Sequence, residues 1–216
     1  EILRLRASGY GLLKIVEQLF PAIVRFIDMN IFLTCPIETP SEVADFIKHH
    51  WLSTIIGFIM LDESEVDRNQ GIVFWCGDGV FSTKRDVSDF ITDQNTESYY
   101  PINQNNTPTY IAYNCVRSPS DVGVEPHHIP KVFSHFIVRD TTGVMVASDG
   151  FDNHNLFKLQ LSRQTEPDLL NNLHGQQWVK KGKFGLKKWM NSRLDRGYFE
   201  DDCFIITAEK ITAEKI

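Results

Sequence analysis

No apolar run in this 216-residue chain approaches the ~20 residues that a membrane-spanning helix needs, and no charged n-region, apolar h-region and cleavage pattern opens it. A helical membrane span is excluded and a cytoplasmic location is expected. Basic charge is also scarce. Lys and Arg number 22 against 28 Asp and Glu, a net charge of -6, which speaks against a nucleic-acid surface because counterion release needs clustered cations. The one basic run, VKKGKFGLKKW with Lys180 to Lys188, reads as a solvated helix face. There is no CxxC pair. Cys35, Cys76, Cys115 and Cys203 sit mostly inside apolar runs and read as reduced, buried small hydrophobes, not as a disulfide or zinc framework. No βαβ rhythm is present, and no convincing Ser, Cys or His nucleophile motif.

What is present suffices for a folded domain, since 42% hydrophobic content is ordinary for a globular protein. Leu12, Ile15, Val16, Leu19, Ile23, Phe26 and Ile27 follow helical spacing, with Pro21 expected as a kink or a break between two helices. A second helix is expected after Pro40, with Ser41 as N-cap and Val43, Phe46, Ile47 and Trp51 on one side. STIIGFIML (53–61) and GIVFWC (71–76) read as buried strands joined by the acidic DESEVDRNQ, and VFST after Gly79 as a continuation of that meander. Residues 86–107 read as loop, TYIAYNCV (109–116) as a strand, and KVFSHFIV with VMVAS as a strand pair around a turn at Asp140 to Gly143. Helical spacing returns over 153–193, and CFIIT closes the pattern as a strand. Helices, strands, helices, strand without βαβ repeats predict a single α+β domain over 1–216 in which helices cover stacked antiparallel sheets. Trp51, Trp75 and Trp189 read as core. ITAEK at 206–210 recurs at 211–215, and this duplicated tail (206–216) is expected to fray and carries no assigned function.

Three segments end an apolar run on carboxylates: GIVFWCGDG at Asp78, GVMVASDG at Asp149, and FEDDCFIIT around Asp201 and Asp202. Desolvating an ionised carboxylate costs several kcal/mol or more unless a cation compensates it, so such residues suit a hard metal better than a core. Singly, Asp78-Gly79 and Asp149-Gly150 read as strand-ending turns, and the Asp201–Asp202 pair as a polar strand boundary. His127 and His128 lie in a Pro-containing loop without ligand spacing and read as a surface pair.

Taken in order, these segments resemble a known family. FWCGDGVF is similar to the "GDS" strand-turn of the metal-dependent PP2C-type (PPM) serine/threonine protein phosphatases, GVMVASDGFDN to their "ASDGxxD" segment, and FEDDCFIITAEK to their C-terminal "DD/DN" strand. STIIGFIML sits where that family has its "STA" strand, and NTPTYIAYN looks like a segment of the bacterial branch. The resemblance implies an αββα four-layer sandwich holding two Mn²⁺ or Mg²⁺ ions, with a third in some members. Such ions lie ~3.5 to 4 Å apart and activate a water that attacks the phosphorus of phosphoserine or phosphothreonine in line. The substrate implied is a phosphorylated protein, with neither nucleic acid nor membrane as partner. Asp149 and Asp201 match metal-ligand aspartates, and Asp78 matches an accessory ligand whose usual neighbouring serine is Gly79 here. Asp202 takes the place of the neighbouring Asn or Asp, and consecutive strand side chains point to opposite faces, so only one of the pair faces the metals.

The chain departs from the family pattern at the front, where an Asp-Gly-x-Gly-Gly or Asp-Gly-x-Gly-Ser segment, an acidic pair and a phosphate-binding arginine are not visible. Two readings stay open. In the first, SGYGLLKIVEQL is the helix that follows that segment and the missing ligands precede Glu1. In the second, Ser8-Gly9-Tyr10-Gly11 is its remnant, with Ser8 in the aspartate position, and the chain is a non-catalytic, PP2C-like binding module.

Overall fold

Apolar residues at helical spacing fold Leu12–Thr34 into one helix, α1, which buries Ile15, Val16, Leu19, Phe20, Ile27 and Ile31. These are among residues 11–35, 39–60, 71–85, 99–102, 109–138, 141–148, 187–188, 191 and 204–209, which the computed structural model describes. Of the kink or break expected at Pro21, the break does not occur: Pro21 lies inside a continuous helix. An interior proline costs about 3 kcal/mol. Buried side chains on both sides of it pack into one core, and Pro21 and Glu17 are exposed, so the helix side that loses a hydrogen bond meets water. Phe26, expected on the core stripe, is instead exposed.

Helix α2 (Pro40–His50) starts one residue earlier than its expected cap. Thr39, not Ser41, is the N-cap, with Pro40 at the first helical position and Glu42 completing a capping box. Glu42 Oε2 accepts from the Thr39 amide at 3.1 Å and from its hydroxyl at 2.6 Å. Ala44 and Ile47 are the buried residues of α2, and Trp51, just beyond it, is half-buried against the main core.

The strands form two sheets, giving a mixed α and β chain. In the first, β1 (Ile55–Met60), β2 (Gly71–Cys76) and β5 (Ser134–Val138) lie in the order β1-β2-β5. Central β2 is buried along almost its whole length, with Trp75 half-buried, but β1 buries only Ile56 because it is an edge strand. Gly57 of β1 is shaped by β2: a Cβ there would lie 2.8 Å from Cζ of Phe74. Phe133 joins α1 to this sheet, its ring 5.2 Å from Phe20 and 5.1 Å from Phe74.

The second sheet contains β3 (Gly79–Arg85), β4 (Tyr99–Ile102), β6 (Thr141–Ala147) and β7 (Ile205–Glu209), in the order β4-β3-β6-β7. All three pairings are antiparallel, with Phe81 opposite Tyr100 and Val146, and Val146 opposite Ile206. Val80 to Thr83 and Val144 to Ala147 are consecutively buried, the signature of central strands covered on both faces.

Several expectations are corrected here. VFST does not continue the first meander, since β3 enters the second sheet, and β5 and β6 do not pair, each lying in a different sheet. The expected loop over 86–107 contains β4, where β-prone Tyr99 and Tyr100 pair with β3 and Pro101 is tolerated on an edge. The expected strand at 109–116 is a 3₁₀ turn over Ile111–Cys115: consecutive Ile111, Ala112 and Tyr113 are all buried where a half-buried strand would alternate. Asn114 Nδ2 also donates to the carbonyls of Ile111 and Pro130, which a strand would leave apart. Part of the tail expected to fray is β7, which takes in Ile206 to Glu209 of the first ITAEK copy. Over 153–193 only 187–188 and 191 are described, all helical, with Lys187 and Lys188 exposed. The chain divides into two compact units, Glu1–Ile59 with Gly71–Asp78 and Asn103–Ile137, and Met60–Gln70 with Gly79–Ile102 and Val138–Ile216. Among the described residues no helix is long and apolar enough to cross a membrane.

Cys35, Cys76 and Cys115 are free thiols. Cys76 Sγ donates to the Thr109 carbonyl at 2.8 Å and Cys115 Sγ to that of Val24 at 3.8 Å, so one thiol ties β2 to Thr109 and the other ties the 3₁₀ turn to α1. Burial pushes the Cys76 thiol up to about 12 against a weaker opposing hydrogen bond, and burial, with Asp28 second, pushes Cys115 up to about 11. The folded chain therefore holds these protons more tightly than the unfolded chain, for which 9.0 applies. Their contribution to stability is full below pH 9.0 and is lost as pH rises toward the folded values. Urea denaturation is predicted to give a flat profile from pH 7 to 8 and falling stability above 9, and a profile flat to about pH 11 would contradict the thiol burial. Phe133→Ala is predicted to cost about 3–5 kcal/mol in the same assay, and a loss below about 1 kcal/mol would refute its bridging role.

Candidate functional site

Asp78 is one of two residues separating β2 from β3, and it stands between two glycines in the positive-φ region, Gly77 at 101° and Gly79 at 142°. An L side chain rarely adopts that backbone. Gly77 is confined twice over, because a Cβ on it would meet Thr54 Oγ1 at 2.8 Å and the Thr54 Cα at 3.0 Å. The close approach of these backbones brings the Thr54 hydroxyl to Asp78, where it donates to Oδ1 at 2.9 Å. The pair is half-buried, and the bond fixes the direction of the carboxylate. Two residues back, the Cys76 thiol pins the end of β2 to Thr109.

In the second unit, the start of β3, the end of β6 and the start of β7 lie side by side. Val80 is opposite Ala147, and Ala147 opposite Ile205. Beyond the last pair the ladder is sealed by two further bonds: the Ser148 amide donates to the Phe204 carbonyl at 3.2 Å, and the Phe204 amide donates to Ser148 Oγ at 3.1 Å. Asp149 follows Ser148 in sequence, and Asp201 and Asp202 precede Phe204 by three and two residues. Asp149, Asp201, Asp202 and Cys203 lie outside the described residues, as does Ser8. The structure therefore describes the Asp78 carboxylate directly, and for Asp149 and Asp201 it describes the strand ends from which they follow in the chain.

Oxygen donors of this type suit a hard divalent cation, and an Asp78 carboxylate oriented through one oxygen fits such a role. Among the described residues no group of three or more His, Cys, Asp or Glu side chains is placed to hold a metal. His127 and His128 occupy a 3₁₀ turn with their rings 4.1 Å apart. His127 is exposed and His128 half-buried, and no third ligand joins them among the described residues.

Thr54 and Ser148 are the polar side chains that sequence reasoning did not single out. The signal for both was in hand, in the Ser-Thr that opens STIIGFIML and the serine of ASDG. Comparison with protein-family models, with curated proteins and with solved structures returns no match for this chain.

Thr54→Val, which keeps shape and removes the donor, is predicted to lower unfolding free energy by about 1–2 kcal/mol, and Thr54→Ser to restore most of it. Gly77→Ala is predicted to cost more, about 2–3 kcal/mol, through positive φ and collision with the Thr54 backbone. Denaturant titration of the three variants checks this; wild-type stability in both Thr54→Val and Gly77→Ala would show that the contact does not hold Asp78.

Proposed function

We propose that the chain belongs to a metal-dependent protein phosphatase of PP2C type that hydrolyses phosphoserine or phosphothreonine, with an αββα arrangement of its sheets and helices. The observation that carries this reading is the joint at which β6 ends beside the start of β7. Ala147 and Ser148, which lead into Asp149, pair there with Ile205 and Phe204, which follow Asp201 and Asp202 in the chain. Such pairing is what a site drawing Asp149 and Asp201 together requires. A strand-ending turn at either motif requires no partner of that kind.

In this reading Asp149 and Asp201 would hold two Mn²⁺ or Mg²⁺ ions and Asp78 would serve an accessory position. Bound there, the ions supply the positive charge that activates a water for in-line attack and offsets charge on the phosphoryl oxygens. The residues of the chain do the positioning. Thr54 aims Asp78, Gly77 allows the approach that makes this possible, and Ser148 locks the β6 end to β7 ahead of Asp149. The net charge of -6 agrees with a chain that recruits cations.

A second reading rests on Ser8, which stands in Ser8-Gly9-Tyr10-Gly11 where the family pattern would place an aspartate. It makes the chain a PP2C-like module that recognises phosphoprotein without turnover. Phosphate release from a phosphoserine peptide with Mn²⁺ separates the two. The first reading predicts turnover by the full-length protein, reduced about 100-fold or more in Asp149→Asn and abolished by EDTA. Equal rates in wild type and Asp149→Asn would sink the phosphatase reading, and peptide binding without turnover would favour the module.

A further inference from the structure

Helix α1 carries more apolar surface than its own chain covers. At about 100° per residue, Ile15, Leu19, Ala22, Phe26, Met29 and Leu33 fall on one line along it. The first two are buried, at 0% and 7% exposure. Past Pro21 the line emerges into solvent: Phe26 is 59% exposed, Met29 55% and Leu33 69%, and Phe32 on its flank is 83% exposed. Charge on this half of the helix is confined to Arg25 and Asp28, both exposed, and the last turn has no basic residue.

We propose that this half of α1 is the interface of a two-fold symmetric dimer of the chain. The occupant is a second copy because the stripe is complementary to itself when run antiparallel. Spaced four, three and four residues apart, Ala22, Phe26, Met29 and Leu33 place the small Ala22 opposite the partner's Leu33 and Phe26 opposite the partner's Met29, and symmetry repeats both layers. Large meets small in the outer layers, and a thioether meets an aromatic ring in the inner ones. Arg25 lies on the same flank as Phe32, so the guanidinium of one copy reaches the exposed ring of the other.

The area agrees with a weak but specific dimer. With aromatic side chains each worth ~150–250 Å² of surface, the four exposed side chains offer about 500 Å², hence roughly 1,000 Å² across a pair, the lower bound for a biological interface. A contiguous apolar patch of several hundred Å² is more than a monomer usually leaves open. Knobs-into-holes packing at a shallow crossing angle accommodates the stripe without moving the buried face of α1. The interface is independent of the phosphatase reading, since none of its residues belongs to the candidate metal site.

Sedimentation equilibrium of the chain between about 1 and 200 µM tests this, in the range expected of an interface this small. The expected result is a concentration-dependent rise from the 24.9 kDa monomer mass to twice that value. Phe26→Glu combined with Phe32→Glu is expected to weaken association at least ~100-fold with an unchanged thermal melt, because both side chains are exposed in the monomer. Phe26→Cys with Met29→Cys is expected to give an oxidised, covalent dimer that the wild-type chain, treated alike, does not give. A wild-type chain still monomeric at 200 µM overturns the proposal, whether a different protein or a vesicle surface then proves to cover the face. A dimer that survives the double Glu variant also overturns it, by placing the interface elsewhere.

Discussion

Between Cys76 and Gly79 the chain leaves one sheet and enters the other, and the two residues that make the passage admit almost no freedom. Gly77 has a positive φ and lies against the Thr54 backbone, and Asp78 is held by the Thr54 hydroxyl. A side chain on Gly77 would part β2 from the segment that leads into β1, and the first sheet would lose one end of its pairing. The same contact aims the one candidate carboxylate that the structure describes. Fold and proposed chemistry thus share a constraint of about 3 Å, which is why a glycine and a threonine matter as much here as the aspartate between them.

Long periodic segments were legible in the sequence, and packing decided where they stopped. The helical spacing from Leu12 gave α1, but whether Pro21 would kink or break it was not legible, because local rules treat proline as a disruptor while the core residues before and after it hold a single helix. Buried β2 was legible from GIVFWC, since central strands read as continuous apolar runs. Sheet membership was not legible. Adjacent β2 and β3, and adjacent β5 and β6, read as hairpins, and nothing in their alternation tells a hairpin from a crossing between sheets. The 3₁₀ turn at Ile111–Cys115 was missed because a run of apolar and aromatic residues satisfies strand and tight-turn readings equally.

The candidate site was legible as motifs and only in part as geometry. Asp78 could be named from its place after an apolar run, but its partner Thr54 is 24 residues earlier, a pairing that no local pattern encodes. The closeness of Ser148 to Phe204 is likewise a property of β6–β7 register, with Val146 opposite Ile206. The family resemblance supplied an ordering of the motifs; the pairing supplies a physical reason for that ordering to matter. Phe26 of α1 had been counted as core, because periodicity reports which residues share a face and not what covers it.

The order β4-β3-β6-β7 sets neighbours side by side that are remote along the chain: Val80 lies opposite Ala147, and Ala147 opposite Ile205. Each of these closures encloses a segment of about 60 residues, whose entropy must be surrendered before any ladder bond forms in return. The sheet is thus a late assembler. Until β7 docks, β6 presents the apolar run Val144 to Ala147 along an open edge, the kind of surface that invites association with other unfinished chains. The same pairing that sets Ser148 beside Phe204 makes the nascent chain depend on rapid completion, or on protection, before its last strand is in place.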